Sequence, residues 1–140
     1  MDQHLSLWLI EDNMAIANLI PIALEDALLL PVDYRHFETG EAFSEAFHLI
    51  RSLAAPMPSL ILLDMNLPDS NGLRLLSEVR QYADRISLPV IMFSSHQNED
   101  LISMSYFQGA NAFIEKPFDY DELMEILNGC ISFWGNKRFS

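Results

Sequence analysis

Five short apolar runs, each followed by a longer stretch of helical period, dictate what this chain can become. Leu5-Ser6-Leu7-Trp8-Leu9-Ile10 reads as a strand. Behind it Ile16, Ile20, Ala23 and Ala27 recur at helical spacing up to Leu30-Pro31. Pro21 falls inside that helix, where it removes one hydrogen bond and kinks the axis. Val32 to Phe37 makes a second, more polar strand, expected at a sheet edge. A helix from about Gly40 to Leu53 sets Phe43, Ala46, Phe47 and Ile50 on one face, and Ala54 to Pro58, with two prolines, is a loop.

Leu60 to Leu63 is the third strand, and a helix from Leu73 to about Tyr82 follows Gly72. Leu88-Pro89-Val90-Ile91-Met92-Phe93 is the fourth, with a helix from about Glu99 to Phe107 closed by Gly109. Ala112-Phe113-Ile114 makes a short fifth strand. The last helix begins after Asp119 as N-cap and buries Leu123, Ile126, Leu127 and Cys130. Strict alternation of strand and helix implies a parallel sheet with helices on both faces. Near-continuous apolar strands agree, because such strands are buried on both sides. With 140 residues and no long linker or internal repeat, the chain is expected to be one α/β domain over 1–140.

Charge narrows the function. A net charge of -12 argues against nucleic acid held through its phosphates, which needs a basic face, and suits a protein that binds cations. The lone Cys130 permits no internal disulfide. Met1-Asp2-Gln3-His4 lacks the basic start of a secretory signal, and no apolar run approaches the roughly 18 residues of a membrane span. A cytoplasmic location, with no membrane partner, is the default expectation.

In open parallel sheets, ligands sit outside the carboxyl ends of the strands. Just past those ends stand Glu11-Asp12, Asp64, Ser94-Ser95 and Glu115-Lys116-Pro117. Three acids, a hydroxyl and an ammonium therefore converge on one rim. Three carboxylates resist sharing a pocket fully ionised, because like charges raise one another's pKa, and a hard divalent cation such as Mg²⁺ resolves the conflict. A metal alone would want neither Lys116 nor Ser94, whereas a phosphoryl group would use both. Asp64, at the end of a stiff apolar strand, is the carboxylate best placed to receive that group as a nucleophile. Singly each signal has a plainer account. Glu11-Asp12 could be a solvated first helical turn, Ser94 a turn residue, Lys116 a surface charge and Asp64 a loop cap. Their succession at consecutive strand ends favours the shared site.

The motifs LIEDN (9–13), ILLDMNLPDSNG (61–72), PVIMFSS (89–95) and GANAFIEKPF (109–118) make the chain resemble a receiver domain of two-component response regulators, from about Leu5 to Gly129, with a short tail over 130–140. The resemblance implies a doubly wound, flavodoxin-like (βα)5 fold. It implies Asp64 as phosphoacceptor, Asp12 as metal ligand with Glu11 helping through water, and the Asn66 backbone carbonyl as a further ligand to Mg²⁺. It implies Lys116 as the partner of the phosphoryl group, Ser94 as switch hydroxyl, Phe113 as switch aromatic and a cis bond before Pro117. Ser95 stands where the family usually has alanine, Phe113 lacks a phenol, and Asn66 and His96 occupy positions that tune hydrolysis. The implied activity is phosphotransfer from a sensor histidine kinase or phosphotransfer protein to Asp64. That is signalling rather than turnover, the domain catalysing only its own phosphorylation and dephosphorylation.

Only ISFWGNKRFS follows the last helix, so the expected output is a surface that binds a downstream target protein. Its candidates are Ile102 and Tyr106 on the fourth helix and Phe133-Trp134 in the tail, where Trp134 reads equally as a cap on the core. The Phe-Trp pair loosely resembles standalone receivers that partner phytochrome kinases. The start of the first helix, Met14, Ile16 and Leu19, reads mainly as core, and in relatives it touches the kinase. Homodimerisation through the last helices is a further expectation. The alternative is a pseudo-receiver that binds partners without phosphorylation, against which the complete acid-and-lysine set argues. A Mg²⁺-dependent phosphatase would want an aspartate where Asn66 stands. An electron carrier would want a phosphate cradle where Glu11-Asp12 would repel it.

Overall fold

The computed structural model describes residues 5–27, 32–95, 98–117 and 119–135. Its strands are β1 (Leu5–Ile10), β2 (Val32–Phe37), β3 (Leu60–Asp64), β4 (Val90–Ser94) and β5 (Ala112–Glu115). Its α-helices are α1 (Met14–Ala27), α2 (Gly40–Ser52), α3 (Gly72–Arg80), α4 (Glu99–Phe107) and α5 (Tyr120–Cys130), and one π-helical turn, Ile131–Gly135, extends α5. The expected continuation of α1 to Leu30-Pro31, His96, Phe118 and the end of the tail lie outside the described residues.

All strands pair in parallel in the order β2-β1-β3-β4-β5, which places the polar β2 at an edge as its composition requires. The chain runs outward from β1 to β2, then crosses back to β3, so the switch in winding direction falls between β1 and β3. Alternation along each strand splits the core in two. Trp8, Ile10, Ile61, Leu63, Val90 and Met92 pack under α2 and α3 with Phe43, Phe47, Leu75 and Leu76, and α4 adds Leu101 to that face. Leu7, Leu9, Leu60, Leu62, Ile91 and Phe93 pack on the other face under α1 and α5 with Ile20, Leu24, Leu123 and Leu127. Each such fully buried side chain contributes about 1.5–3 kcal/mol.

Helix starts follow their side chains. Asn71, Asn98 and Asp119 cap α3, α4 and α5 through the amides of Arg74, Asp100 and Glu122. Asn13 Oδ1 accepts from Ala15 N (3.0 Å) and Ile16 N (3.3 Å) at the start of α1. Pro21 sits mid-helix in α1, where the Ala17 carbonyl loses its usual donor; the Tyr34 hydroxyl of β2 donates to that carbonyl at 3.1 Å.

At the rim opposite the strands' carboxyl ends, Arg80 ties several segments together. Its Nε donates to Gly109 O (2.7 Å), Nη1 to Leu88 O (2.8 Å) and to Ala83 O and Asp84 O (3.2 Å each), and Nη2 to Asn111 Oδ1 (3.0 Å). Gly109, at φ 109°, takes the left-handed turn after α4, where a Cβ would also strike Arg80 Nε at 2.9 Å. Trp134 is half-buried against the α1/α5 core, while Phe133, stacked edge-on against it, stays 55% exposed. The core-capping reading of Trp134 therefore holds, with Phe133 left outward. On α4, Tyr106 is exposed and Ile102 half-buried.

Candidate functional site

The β1–α1 turn, the end of β3 and the segment after β5 meet at the carboxyl rim beside the winding switch. β1 is followed by Glu11, which is wholly buried, and Asp12, which is exposed, so adjacent acids face opposite surroundings. Asp64 ends β3 and is 4% exposed. One ligand atom from each of Glu11, Asp12 and Asp64 lies within 4.8 Å of the others.

Lys116 follows β5, its backbone held by a bond from Lys116 N to Ser94 O (2.8 Å). Its ammonium bridges two of the acids, with Nζ 2.6 Å from Glu11 Oε1 and 3.1 Å from Asp64 Oδ2. Glu11 Oε2 accepts from Asn13 N (3.2 Å) and Asp64 Oδ1 from Asn66 N (3.2 Å). Burial first, and the neighbouring Asp64 next, push the Glu11 carboxyl up to about 7 against the opposing pull of Lys116. One ammonium does not balance three acids at this distance.

The donors suit a hard cation. Three carboxylates gathered this closely offer the oxygen ligands that a divalent cation such as Mg²⁺ or Mn²⁺ takes. Ser94 is wholly buried on β4, one residue beyond Phe93, the register partner of Asp64. Ser95 is exposed, and Phe113 is half-buried against the α2/α3 core. The structure thus brings Glu11, Asp12 and Asp64 together and sets Lys116 against Glu11 and Asp64, with the Asn66 backbone amide bonded to Asp64.

Two expectations are corrected. Met14 and Leu19, read as core, are 43% and 39% exposed, because Ala17 and Ile20 occupy the buried face of α1. The Lys116–Pro117 bond is trans, because no cis peptide occurs among the described residues. The trans preference before proline is only about 0.5–1 kcal/mol, so context decides, and here the trans chain already delivers the Lys116 ammonium to both acids.

Sequence reasoning missed two β2 side chains that support this rim. Tyr34 reaches α1, and His36 Nε2 lies 2.6 Å from the Glu11 carbonyl oxygen. Burial, and next the Glu11 charge, raise the Tyr34 phenol above its ordinary range. The one sequence signal was two polar aromatic residues spaced by two on an edge strand, hence on the same face.

Fold and rim together define a doubly wound α/β protein with an acidic, lysine-bridged pocket at the carboxyl ends of its strands. The model of the response regulator receiver domain matches residues 7–128, and the chain belongs to that family. The transcriptional regulatory protein KdpE of Staphylococcus aureus is 38% identical over 117 residues, 84% of this chain and 46% of KdpE. Response regulator Rcp1 of Synechocystis is 36% identical over 80 residues, 57% of this chain and 54% of Rcp1. These matches span about half the length of either relative. Two solved structures share the fold nearly end to end. The Mn²⁺-bound form of Rcp1 has a TM-score of 0.76 at 30% identity, covering 92% of this chain and 93% of that one. The phosphorylated cyanobacterial phytochrome response regulator RcpA has 0.77 at 34%, covering 94% of each.

Proposed function

We propose that Asp64 is the phosphoacceptor of this receiver domain and that Lys116 is the cation that guides the phosphoryl group onto it. The observation that carries this reading is the Lys116 ammonium set between Glu11 Oε1 and Asp64 Oδ2 at the end of the central strand. An Asp64 oxygen attacks the phosphorus of a phosphohistidine or a small phosphodonor. The P–N or P–O bond breaks as the new O–P bond forms, and its electron pair leaves with the donor, which takes up a proton. Lys116 then exchanges a carboxylate partner for a phosphoryl oxygen. Asp12 and Asp64, with the Asn66 carbonyl and with Glu11 through water, would hold Mg²⁺, which supplies charge neutralisation when bound. The Mn²⁺-bound relative and the phosphorylated relative support this assignment.

The Ser94 hydroxyl, buried on the neighbouring strand, is the group that meets the new phosphate, and Phe113 responds by repacking towards α4. The partners are a histidine kinase or phosphotransfer protein upstream and a target protein downstream, read from a surface rather than through nucleic acid. The complete acid-and-lysine set favours phosphorylation over a purely binding role.

Incubation with acetyl phosphate and Mg²⁺, followed by intact mass measurement, tests the reading. Wild type gains one phosphoryl group, and Asp64→Asn gains none. A folded wild type that gains nothing, or an Asp64→Asn variant that gains as much, overturns it.

A further inference from the structure

Glu11 has an unusual pair of backbone anchors. Its amide donates to Phe37 O at 2.9 Å, and its carbonyl oxygen lies 2.6 Å from His36 Nε2, so both polar groups of one residue end on consecutive residues of β2. A carbonyl only accepts, which requires a proton on Nε2; the neutral Nε2–H tautomer and the imidazolium both provide it. The amide anchor continues the β1/β2 ladder, and the carbonyl anchor fixes the peptide that joins Glu11 to Asp12. On its other side Asn13 N is held by Glu11 Oε2 at 3.2 Å. Asp12 itself is exposed, and among the described residues no hydrogen bond orients its carboxylate, so its backbone is the part held in place.

We infer that His36 is a positioning residue for cation binding, acting from the edge strand by locking the Glu11–Asp12 peptide in the orientation that aims Asp12 at Asp64. The inference rests on the reading that Glu11, Asp12 and Asp64 receive a divalent cation. With the tether in place, the acids are arranged before the ion arrives. Without it, binding must also bear the entropy of ordering the turn. A purely structural histidine would stabilise the fold and leave affinity untouched.

Mn²⁺ is the probe, its binding to the full chain followed by loss of the free-ion paramagnetic resonance signal, with circular dichroism confirming the fold of each variant. His36→Leu removes the donor, whereas His36→Gln keeps an N–H able to reach the carbonyl. We expect His36→Leu to raise the Mn²⁺ dissociation constant about tenfold, the low end of what outer-shell groups contribute, and His36→Gln to change it by no more than about twofold. Folded His36→Leu that melts earlier yet binds Mn²⁺ like wild type overturns the inference and leaves the site reading standing. Asp12→Asn that binds like wild type overturns the site reading and the inference with it. If His36→Leu does not fold, His36→Asn, whose amide falls short of the carbonyl, takes its place under the same criteria.

Discussion

The Tyr34 hydroxyl donates to the Ala17 carbonyl across 3.1 Å, and that carbonyl is the one Pro21 deprives of its helical partner. Four residues separate donor and acceptor along a helix, so the missing N–H of Pro21 would have bonded to Ala17, and the proline ring also crowds that oxygen. A β2 side chain thus completes the hydrogen bonding of α1 from outside.

This coupling predicts a non-additive double-mutant cycle. Tyr34→Phe orphans a partly buried carbonyl and costs about 1–2 kcal/mol in the wild-type background. In a Pro21→Ala background, where residue 21 regains its N–H, the same substitution costs a few tenths of that. Urea midpoints of the four proteins measure the difference, and equal costs in both backgrounds refute the coupling.

Gly72 is predicted to be indispensable for a local reason. A Cβ there would lie 2.6 Å from the Asp64 carbonyl oxygen, 2.7 Å from Met92 Cε and 3.0 Å from Met65 Cα. Two of these are backbone atoms of the segment that carries the proposed phosphoacceptor, and they yield only if the end of β3 moves. Gly72→Ala should cost about 3 kcal/mol, the upper end for overpacking, and should slow phosphoryl uptake from acetyl phosphate in the protein that remains folded.

Asp69 predicts a pH dependence. Its carboxylate accepts from Gly40 N and Glu41 N at 2.9 Å each, joining the β3–α3 loop to the start of α2, and these bonds, Gly40 first, hold its pKa below the ordinary range. A depressed carboxyl stabilises the fold above its unfolded-state pKa and loses that contribution as pH falls through the folded-state value. Asp69→Asn should therefore lower the melting temperature near pH 7, and the gap from wild type should close as pH drops below about 4. A gap that persists in acid would show that the carboxylate's charge is not the cause.

Much of this was legible in the order of residues. Alternating apolar runs announce the parallel sheet, and the acids at its strand ends announce the rim. The polar VDYRHF run announces an edge strand. What its tyrosine and histidine do was hidden, because their partners, Ala17 and the Glu11 carbonyl, are backbone oxygens on other elements and leave no signature in side-chain pattern. Nothing in the pair Glu11-Asp12 announces burial, and only the chain's path beyond β1 shows that Glu11 is sealed in the core while Asp12 faces water. The bond before Pro117 was misjudged because so small an isomer preference yields to the path the chain must take.

The Arg80 guanidinium rivets the turn at Gly109 to the start of β4 and to the end of α3. That bolt sits at the far end of α4 from Asp64. Nearby, the Tyr106 hydroxyl accepts from Phe113 N at 3.1 Å, so the last turn of α4 is fastened to β5 as well. The expected consequence is that a change begun at the acidic rim displaces the start of α4 more than its anchored end.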